Sequence, residues 1–575
     1  MRRLLIVAVS AALSAPASAL AADPILALRD VQPGARCSGL TVVRGTAISS
    51  FDVEVLDVLD RQRPEAARIL VRVSGPAVAA TGLGPGFSGS PIYCTGADGV
   101  RRNVGAISET IGDYGGFVAL ATPIETILSQ PLVPAPARSR AAARAHTPGG
   151  PRAATRSLRG PLTLSGVRPR LGAALARAAR KAGRTLIASP ATTHAAFSPQ
   201  PLVPGAALAV GLTSGDVALG AAGTVAYADG PNVWALGHEL EGAGPRALFL
   251  QDAYVHTVVN NPVNAPDLST YKLASPGNDL GTITGDGPAG VTGILGGRPP
   301  SYPLRVTARD LDSKRIRSLL IGVADEGDVG RPSGLSPLGL VAAGGLLQAV
   351  TAVQAGAPAR QSGDMCMTVR LRELKRPLRF CNTYTVDGEA PFAIGGALVE
   401  DITAAADLLD SFRFGVLHPT AVEIGVRVRH GVRQAFIVGG RVLGKALRGR
   451  RMTLALRLRH VGSGRRSTRR IRVRVPGDAT LGRGTLRISG TPGDVGGDLY
   501  EGGALSALFE EEPDEEQDGP GPQSPEELSA RFDELARRDG VTVTFPGPSP
   551  VSYRDPQLRI SGSAAVRVRV RRGGR

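Results

Sequence analysis

Short apolar runs, each broken by glycine or proline before it could grow into a long helix, are what most constrain the fold of this chain. Gly39-Leu40-Thr41-Val42-Val43, Phe51-Asp52-Val53-Glu54-Val55-Leu56, Arg68-Ile69-Leu70-Val71-Arg72-Val73 and Val104-Gly105-Ala106-Ile107 follow one another with turn residues between them. Such spacing belongs to the strands of a β-barrel or sandwich. The 74 glycines and 44 prolines make about a fifth of the 575 residues, which suits many short strands and turns better than long helices. With 42% hydrophobic residues the chain can bury a core, and its length predicts three or four folding units. The expected class is mainly β.

The amino terminus carries Arg2 and Arg3, an apolar stretch from Leu4 to Leu13, and small residues at Ala17-Ser18-Ala19 or Ala19-Leu20-Ala21. This order of basic, apolar and cleavable regions predicts a signal peptide over 1–22 and a secreted or cell-surface protein. No later segment approaches the ~20 apolar residues of a membrane span, so no transmembrane anchor is expected once the signal is removed. Residues 23–133 form a first strand-rich region, and 134–156 read as an Ala/Pro/Arg linker. Residues 157–310 form a second region, with a helix expected over Leu171 to Leu186 and strands at Leu208 to Leu212 and Gly223 to Tyr227. A third region, 330–490, mixes a helix at Leu338 to Val353 with strands of a β-sandwich. The acidic run Glu510 to Asp518 marks 500–540 as a disordered insert, and 541–575 restores basic strands.

A formal charge of +17 attracts nucleic acid only if it is focused and accompanied by stacking aromatics. Here arginine alternates with apolar residues, as in Leu454-Ala455-Leu456-Arg457-Leu458-Arg459 and Ile471-Arg472-Val473-Arg474-Val475, and only 4% of residues are aromatic. A basic, solvated sheet face accounts for this pattern. Its expected partner, if it has one, is an anionic wall polymer, another surface component or the acidic insert, and not nucleic acid. Four cysteines in an exported chain allow three pairings, and proximity favours Cys37 with Cys94 and Cys366 with Cys381, the latter closing a hairpin. No Cys-x-x-Cys or paired-histidine spacing accompanies them, so neither zinc nor any cofactor is implied.

The sharpest segment is Gly86-Phe87-Ser88-Gly89-Ser90-Pro91-Ile92. A nucleophilic serine needs a tight turn whose backbone N–H groups can approach a developing oxyanion, and glycines on both sides of Ser88 supply that freedom. Serine also needs a base, usually histidine. Of the seven histidines, His146 lies in the linker and His418, His430 and His460 lie in the later β region, leaving His194, His238 and His256. His238 leads, at the end of Trp234-Ala235-Leu236-Gly237-His238.

These residues resemble the SpoIVB peptidase family, serine peptidases of a chymotrypsin-related type. The family's Gly-Met-Ser-Gly-Ser-Pro-Ile is matched by Gly86 to Ile92 with Phe87 in place of methionine, and its Gly-Ala-Leu-Gly-His by Trp234 to His238. Phe51 to Val55 resembles its Phe-Asp-Val-Glu-Ile, and Pro276-Gly277 with Gly290-Val291-Thr292-Gly293-Ile294 resembles the segment after its base. The similarity spans roughly residues 25 to 310. Two departures stand out. Ser88 precedes His238 by 150 residues (238 − 88), the reverse of the sporulation protease. The family's acid, in a Thr-Asp-Pro before the nucleophile, corresponds to Ser74-Gly75-Pro76.

The resemblance implies a chymotrypsin-like β-barrel peptidase domain and an exported serine endopeptidase acting on a protein or peptide substrate, its own chain included, while the alternating strands of the later region predict an Ig-like β-sandwich after it. Ser88 is the expected nucleophile and His238 the base, with the N–H groups of Gly86, Phe87 and Ser88 forming the oxyanion hole at a cleft. Asp252 is the first choice for the orienting acid and Asp52 the second, with a backbone carbonyl or water as the alternative. A catalytically silent peptidase fold serving as a surface scaffold is the rival expectation, kept open by Gly75.

Overall fold

A computed structural model describes residues 22–112, 115–133, 155–157, 161–189, 197–260, 270–329, 337–354, 359–387, 393–412, 414–490, 521–533, 539–547 and 550–572, with isolated positions besides. All but the last residue of the predicted signal peptide, nearly all of the linker, His194 and the acidic run Glu510 to Asp518 lie outside the described residues. The chain is mainly β, as expected.

The first region contains β1 (Arg36–Val42), β2 (Ile48–Leu59), β3 (Arg68–Ser74), β4 (Pro91–Thr95), β5 (Arg101–Ile111), β6 (Val118–Pro123), α1 (Ile124–Leu128) and β7 (Thr155–Ser157). Its strands pair in the order β4-β1-β2-β3-β6-β5, and a further β4–β5 pairing closes the ring. Alternation drives this closure. Along β2, Phe51, Val53 and Val55 are buried while Asp52 and Glu54 are exposed, so each strand gives one face to the interior. Phe51, Val53, Ile69, Val71, Val73 and Ile107 share that core.

The second region repeats the solution. It contains β8 (Leu162–Ser165), α2 (Pro169–Lys181), β9 (Leu186–Ala188), β10 (Ala207–Gly211), β11 (Thr213–Gly215), β12 (Ala218–Asp229), β13 (Asn232–Ala235), β14 (Gly244–Asn260), β15 (Thr270–Gly287) and β16 (Gly290–Leu295). The order β10-β14-β15-β16-β13-β12 closes through a β10–β12 pairing, again six antiparallel strands in a ring. Helix α2 stops before the expected Leu186, because Gly183 turns the chain at φ +70°. The two rings meet on two small apolar clusters, one of Val42, Ala207, Ala209, Ala253, Val255 and Ala274, the other of Ala106, Ile124, Ile127, Ala226, Tyr227 and Trp234. A reciprocal backbone pair, Gly45 N to Val255 O at 2.6 Å and Val255 N to Gly45 O at 3.0 Å, joins them directly.

Later boundaries differ from the expected ones. β17 (Ser301–Asp310) and β18 (Ile316–Ala324) leave the second ring and enter a six-stranded sheet with β11, β19 (Arg360–Leu371), β20 (Leu378–Asp387) and β21 (Pro419–His430). Helices α3 (Pro337–Val353) and α4 (Ala393–Asp410) pack on it in one core that also takes Leu171 and Leu175 of α2. The β-sandwich begins only at β22 (Gln434–Leu443). It continues through β23 (Ala446–Leu447), β24 (Arg451–His460), β25 (Arg466–Arg474) and β26 (Gly482–Gly490), and is completed by β27 (Val541–Thr544), β28 (Val551–Tyr553), β29 (Arg559–Ser561) and β30 (Ser563–Arg571). The basic carboxy-terminal strands therefore belong inside the sandwich. Within the span read as a disordered insert, Pro525–Asp533 forms a helix, α5, between β26 and β27, whose Leu528 and Phe532 join the core of the preceding unit. Two apolar anchors four residues apart outweigh the acidic surroundings there.

Both disulfides pair as expected. Cys37 faces Cys94 across β1 and β4, and Cys366 faces Cys381 across the β19–β20 hairpin. Cys37–Cys94 ties β4, which follows the serine turn, to the first strand of the ring. Replacing both partners by serine is expected to lower the unfolding free energy by ~2–4 kcal/mol, measured by chemical denaturation. Peptide mapping without reductant should recover the 37–94 and 366–381 bridges and no other.

Candidate active site

The segment Gly84 to Ser90 joins β3 to β4 of the first ring and lies against the second ring in a turn fixed from both sides. Phe87 is its plug, fully buried in the first core, which accounts for a large aromatic where the resembled motif has methionine. Gly86 and Gly89 take φ +93° and +87°, conformations that cost little only without a Cβ. Space is also absent. A Cβ on Gly89 would lie 1.9 Å from the Thr224 carbonyl and 2.7 Å from the Leu236 amide nitrogen, and one on Gly86 would lie 2.8 Å from Lys272 Cβ.

His238 arrives on a second turn. After β13, Leu236 and Gly237 adopt φ +69° and +71°. A non-glycine residue held there is strained and must be retained by its surroundings; Leu236 is fixed by burial in the second core. Thr122 Oγ1 donates to the Gly237 carbonyl at 2.6 Å. His238 Nδ1 lies 2.6 Å from the Glu239 carbonyl. A carbonyl can only accept, so Nδ1 carries the proton and Nε2 is the basic nitrogen of the neutral ring.

The two turns lie against each other. Gly89 N donates to the Ile107 carbonyl at 2.8 Å, and a Cβ on Gly237 would lie 3.3 Å from that same oxygen. Thr224 links them again, donating its N–H to Ser88 O at 2.9 Å while its carbonyl accepts from Leu236 N at 3.3 Å. Fold closure thus brings together segments 150 residues apart.

Several expectations change in detail. Ser88 is fully buried, and among the described residues its Oγ has no hydrogen-bond partner, so the Ser88–His238 bond is not formed and no open cleft exposes the hydroxyl. Phe87 N donates to Gly84 O at 3.1 Å and is spent in the turn, whereas the Gly86 and Ser88 amides are taken by none of the described acceptors. That leaves two of the three expected oxyanion donors.

Asp252 does not orient His238. Its Oδ1 accepts from Asn278 N at 2.5 Å and its Oδ2 from Gln200 N at 2.8 Å, with Asn278 Nδ2 also in reach. Burial raises its pKa against those bonds, and it serves to pin segment 197–200 to β15. Asp52 is exposed on β2 beside Gly75, pointing out of the ring. The Glu239 carbonyl holds the ring instead. His256 bonds Ser275 Oγ at 2.9 Å, but Ser275 sits in the middle of β15 and its hydroxyl also meets Ser189, so this pair lacks a turn for an oxyanion.

Two residues near these turns carry weight the sequence reading did not assign. Asp286, 1% exposed, accepts the N–H groups of Leu240 at 2.7 Å, Glu241 at 2.8 Å and Ala243 at 3.2 Å, fixing the loop that contains Glu239. Arg246 lies against it and is bidentate to Glu326; burial opposes its charge, but Glu326, Glu241 and Asp286 hold it protonated. The other residue is Lys272 of β15, 4% exposed and beneath the serine turn. Asp286, between two glycines at the end of β15, and a lone lysine within the same strand gave no spacing from which to read either role.

Gly99 provides an internal control for the close approach, since it has φ +78° with nothing within 4 Å of a Cβ. Gly99→Ala is expected to cost about 1 kcal/mol, and Gly89→Ala at least ~3 kcal/mol because strain and overlap add. Denaturant titration of the two variants checks the difference.

Comparison of the chain with protein-family models, with curated proteins and with solved structures gives no match in any of the three.

Proposed function

We propose that the protein is an exported serine endopeptidase in which Ser88 attacks the scissile carbonyl and His238 takes its proton. On this reading the two six-stranded rings are a chymotrypsin-like pair with the nucleophile and base supplied in reversed chain order, and the later sandwich is an Ig-like module. The observation that carries it is the packing of the Gly86–Ser90 turn against the Leu236–His238 turn at the junction of the rings. A site built from strand neighbours does not depend on chain order.

The chemistry follows from the groups present. With Nδ1 donating to the Glu239 carbonyl, Nε2 is the nitrogen able to accept the Ser88 proton as Oγ bonds to the substrate carbonyl carbon and the carbonyl electron pair moves onto oxygen, and then to deliver that proton to the amine as the C–N bond breaks. The Gly86 and Ser88 amides are the donors for the oxyanion. The Glu239 carbonyl takes the Nδ1 proton at the place where a Ser-His-Asp site has a carboxylate. Displacement of the turn must precede catalysis, since Ser88 has no exposed surface.

That complete burial favours a second reading, a silent peptidase fold used as a surface scaffold. The arginines of the sandwich suit such a role. Arg451 faces Arg474, Arg459 faces Arg466 and Arg483 faces Arg569 across neighbouring strands, all exposed. Like charges directly opposite repel, and an anionic wall polymer would relieve them. Both readings place the protein outside the cell. Two disulfides, and the absence among the described residues of a helix long and apolar enough to cross a membrane, accord with that placement.

Labelling with a serine-directed fluorophosphonate separates the readings. The peptidase is expected to label, Ser88→Ala to lose the label, and Ser90→Ala to keep it, with loss of casein cleavage tracking Ser88 alone. Absence of label at every pH in folded protein leaves the scaffold. Binding of the sandwich face to a soluble polyanion such as polyphosphate should weaken as salt rises, with a slope reduced in Arg451→Glu/Arg474→Glu.

A further inference from the structure

Lys272 runs along the underside of the proposed nucleophile turn. Its backbone N–H donates to Pro85 O at 2.9 Å, and its stem fills the space a Gly86 side chain would need. Nζ stands 4.6 Å from the centre of the Phe87 ring and lies 2.6 Å from Thr41 Oγ1 and 3.2 Å from Thr224 Oγ1. Each threonine in turn holds the serine segment. Thr224 Oγ1 donates to Gly86 O at 3.0 Å and its N–H to Ser88 O at 2.9 Å, while Ser90 Oγ donates to Thr41 Oγ1 at 3.0 Å.

Counting protons decides the state of the amine. Thr224 spends its hydroxyl proton on Gly86 O, so it accepts from Nζ. Ser90 spends its proton on Thr41. The Thr41 proton then needs an acceptor, and a neutral amine has a lone pair to offer where an ammonium has none. We propose that Lys272 is a positioning residue of the serine turn that works as an uncharged amine, ending a hydroxyl chain from Ser90 through Thr41 and fixing the Gly86 and Ser88 carbonyls through Thr224. The assignment rests on the proposed function only in naming this turn as the site of the nucleophile.

The surroundings agree. Burial alone pushes the Lys272 amine down to about 7. None of the titratable groups on the neighbouring elements contributes to that shift, neither His238 after β13, nor Asp252 and His256 on β14, nor Tyr271 on β15; β1, β12 and the serine turn present Thr41, Thr224, Phe87 and Ser90. The unfolded chain has its ordinary lysine pKa, so between pH 7 and 10.5 unfolding takes up a proton and stability rises with pH across that window. Below it the folded state bears the whole cost of a buried ammonium. As pH falls through 7, Nζ gains a proton and loses its lone pair, so the Thr41 proton loses its acceptor and the hydroxyl chain to Ser90 must rearrange.

Nuclear magnetic resonance on the full chain tests this, since it contains five lysines to be resolved. With lysine labelled at 13Cε and serine at 13Cβ, the Lys272 signal is expected to titrate near pH 7, and the Ser90 signal to follow the same midpoint. In Thr41→Val the lysine should still titrate low while Ser90 no longer follows. Lys272→Met should abolish the shared midpoint, and the stability difference from wild type should change only across the window given. A Lys272 midpoint in the ordinary range near 10.4, or a Ser90 signal indifferent to it, overturns the assignment using wild-type protein alone, even if the methionine variant fails to fold. The result is independent of the phosphonate assay. A low, shared midpoint in protein that never labels would uphold the tether and reject the peptidase.

Discussion

The close approach of Gly89 to the Thr224 carbonyl is the constraint on which the site depends. There the first ring hands its serine turn to the second, and the space a Cβ would occupy is filled by backbone from β12 and by the Leu236 amide. Ile107 receives Gly89 N on one side and touches Gly237 on the other, so one residue of β5 sets the spacing of both turns. Glycine at position 89 is therefore a condition for joining the rings at all, and the proposed chemistry inherits its geometry from that joint.

Polar groups at this joint are held by short-range hydrogen bonds. His238 leans on a carbonyl, Lys272 on two hydroxyls, and the Glu239 loop on Asp286. Charge is gathered instead at the border with the third unit, where Arg246 and Glu326 pair at 2.8 Å. This division has a physical reason. A charge placed in the joint pays a desolvation cost that only an excellent partner recovers, whereas hydroxyls and carbonyls satisfy one another cheaply.

The β class, the two cysteine pairs and the serine and histidine turns were legible because each rests on local pattern: alternation, proximity, and glycines where the backbone turns left. What escaped depends on tertiary neighbours. Asp252 follows His238 closely in sequence, yet Gln200 and Asn278 take its oxygens, a partnership set by the return of segment 197–200. Lys272 reads as an ordinary strand residue until ring closure places Thr41 and Thr224 around it. The helix Ala393–Asp410 is a different omission, since Ile394, Leu398, Ile402, Ala405 and Leu409 repeat at helical spacing and all are buried. That signal was present and the β character of its flanks concealed it. The sandwich boundary was misplaced because its strands come from both sides of the acidic stretch, and a linear reading separates what the sheets reunite.

The proposed chemistry requires Ser88 and His238 to form one reactive unit across the joint. A crystal structure of the protein treated with a peptidyl boronic acid tests it most directly, because such a reagent bonds only to a serine activated within a competent site. The account predicts boron on Ser88 Oγ, His238 Nε2 within about 3.2 Å of that oxygen, and the turn displaced enough to admit the ligand. Boron on another residue, or an unaltered and unliganded Ser88 at saturating reagent, would contradict it.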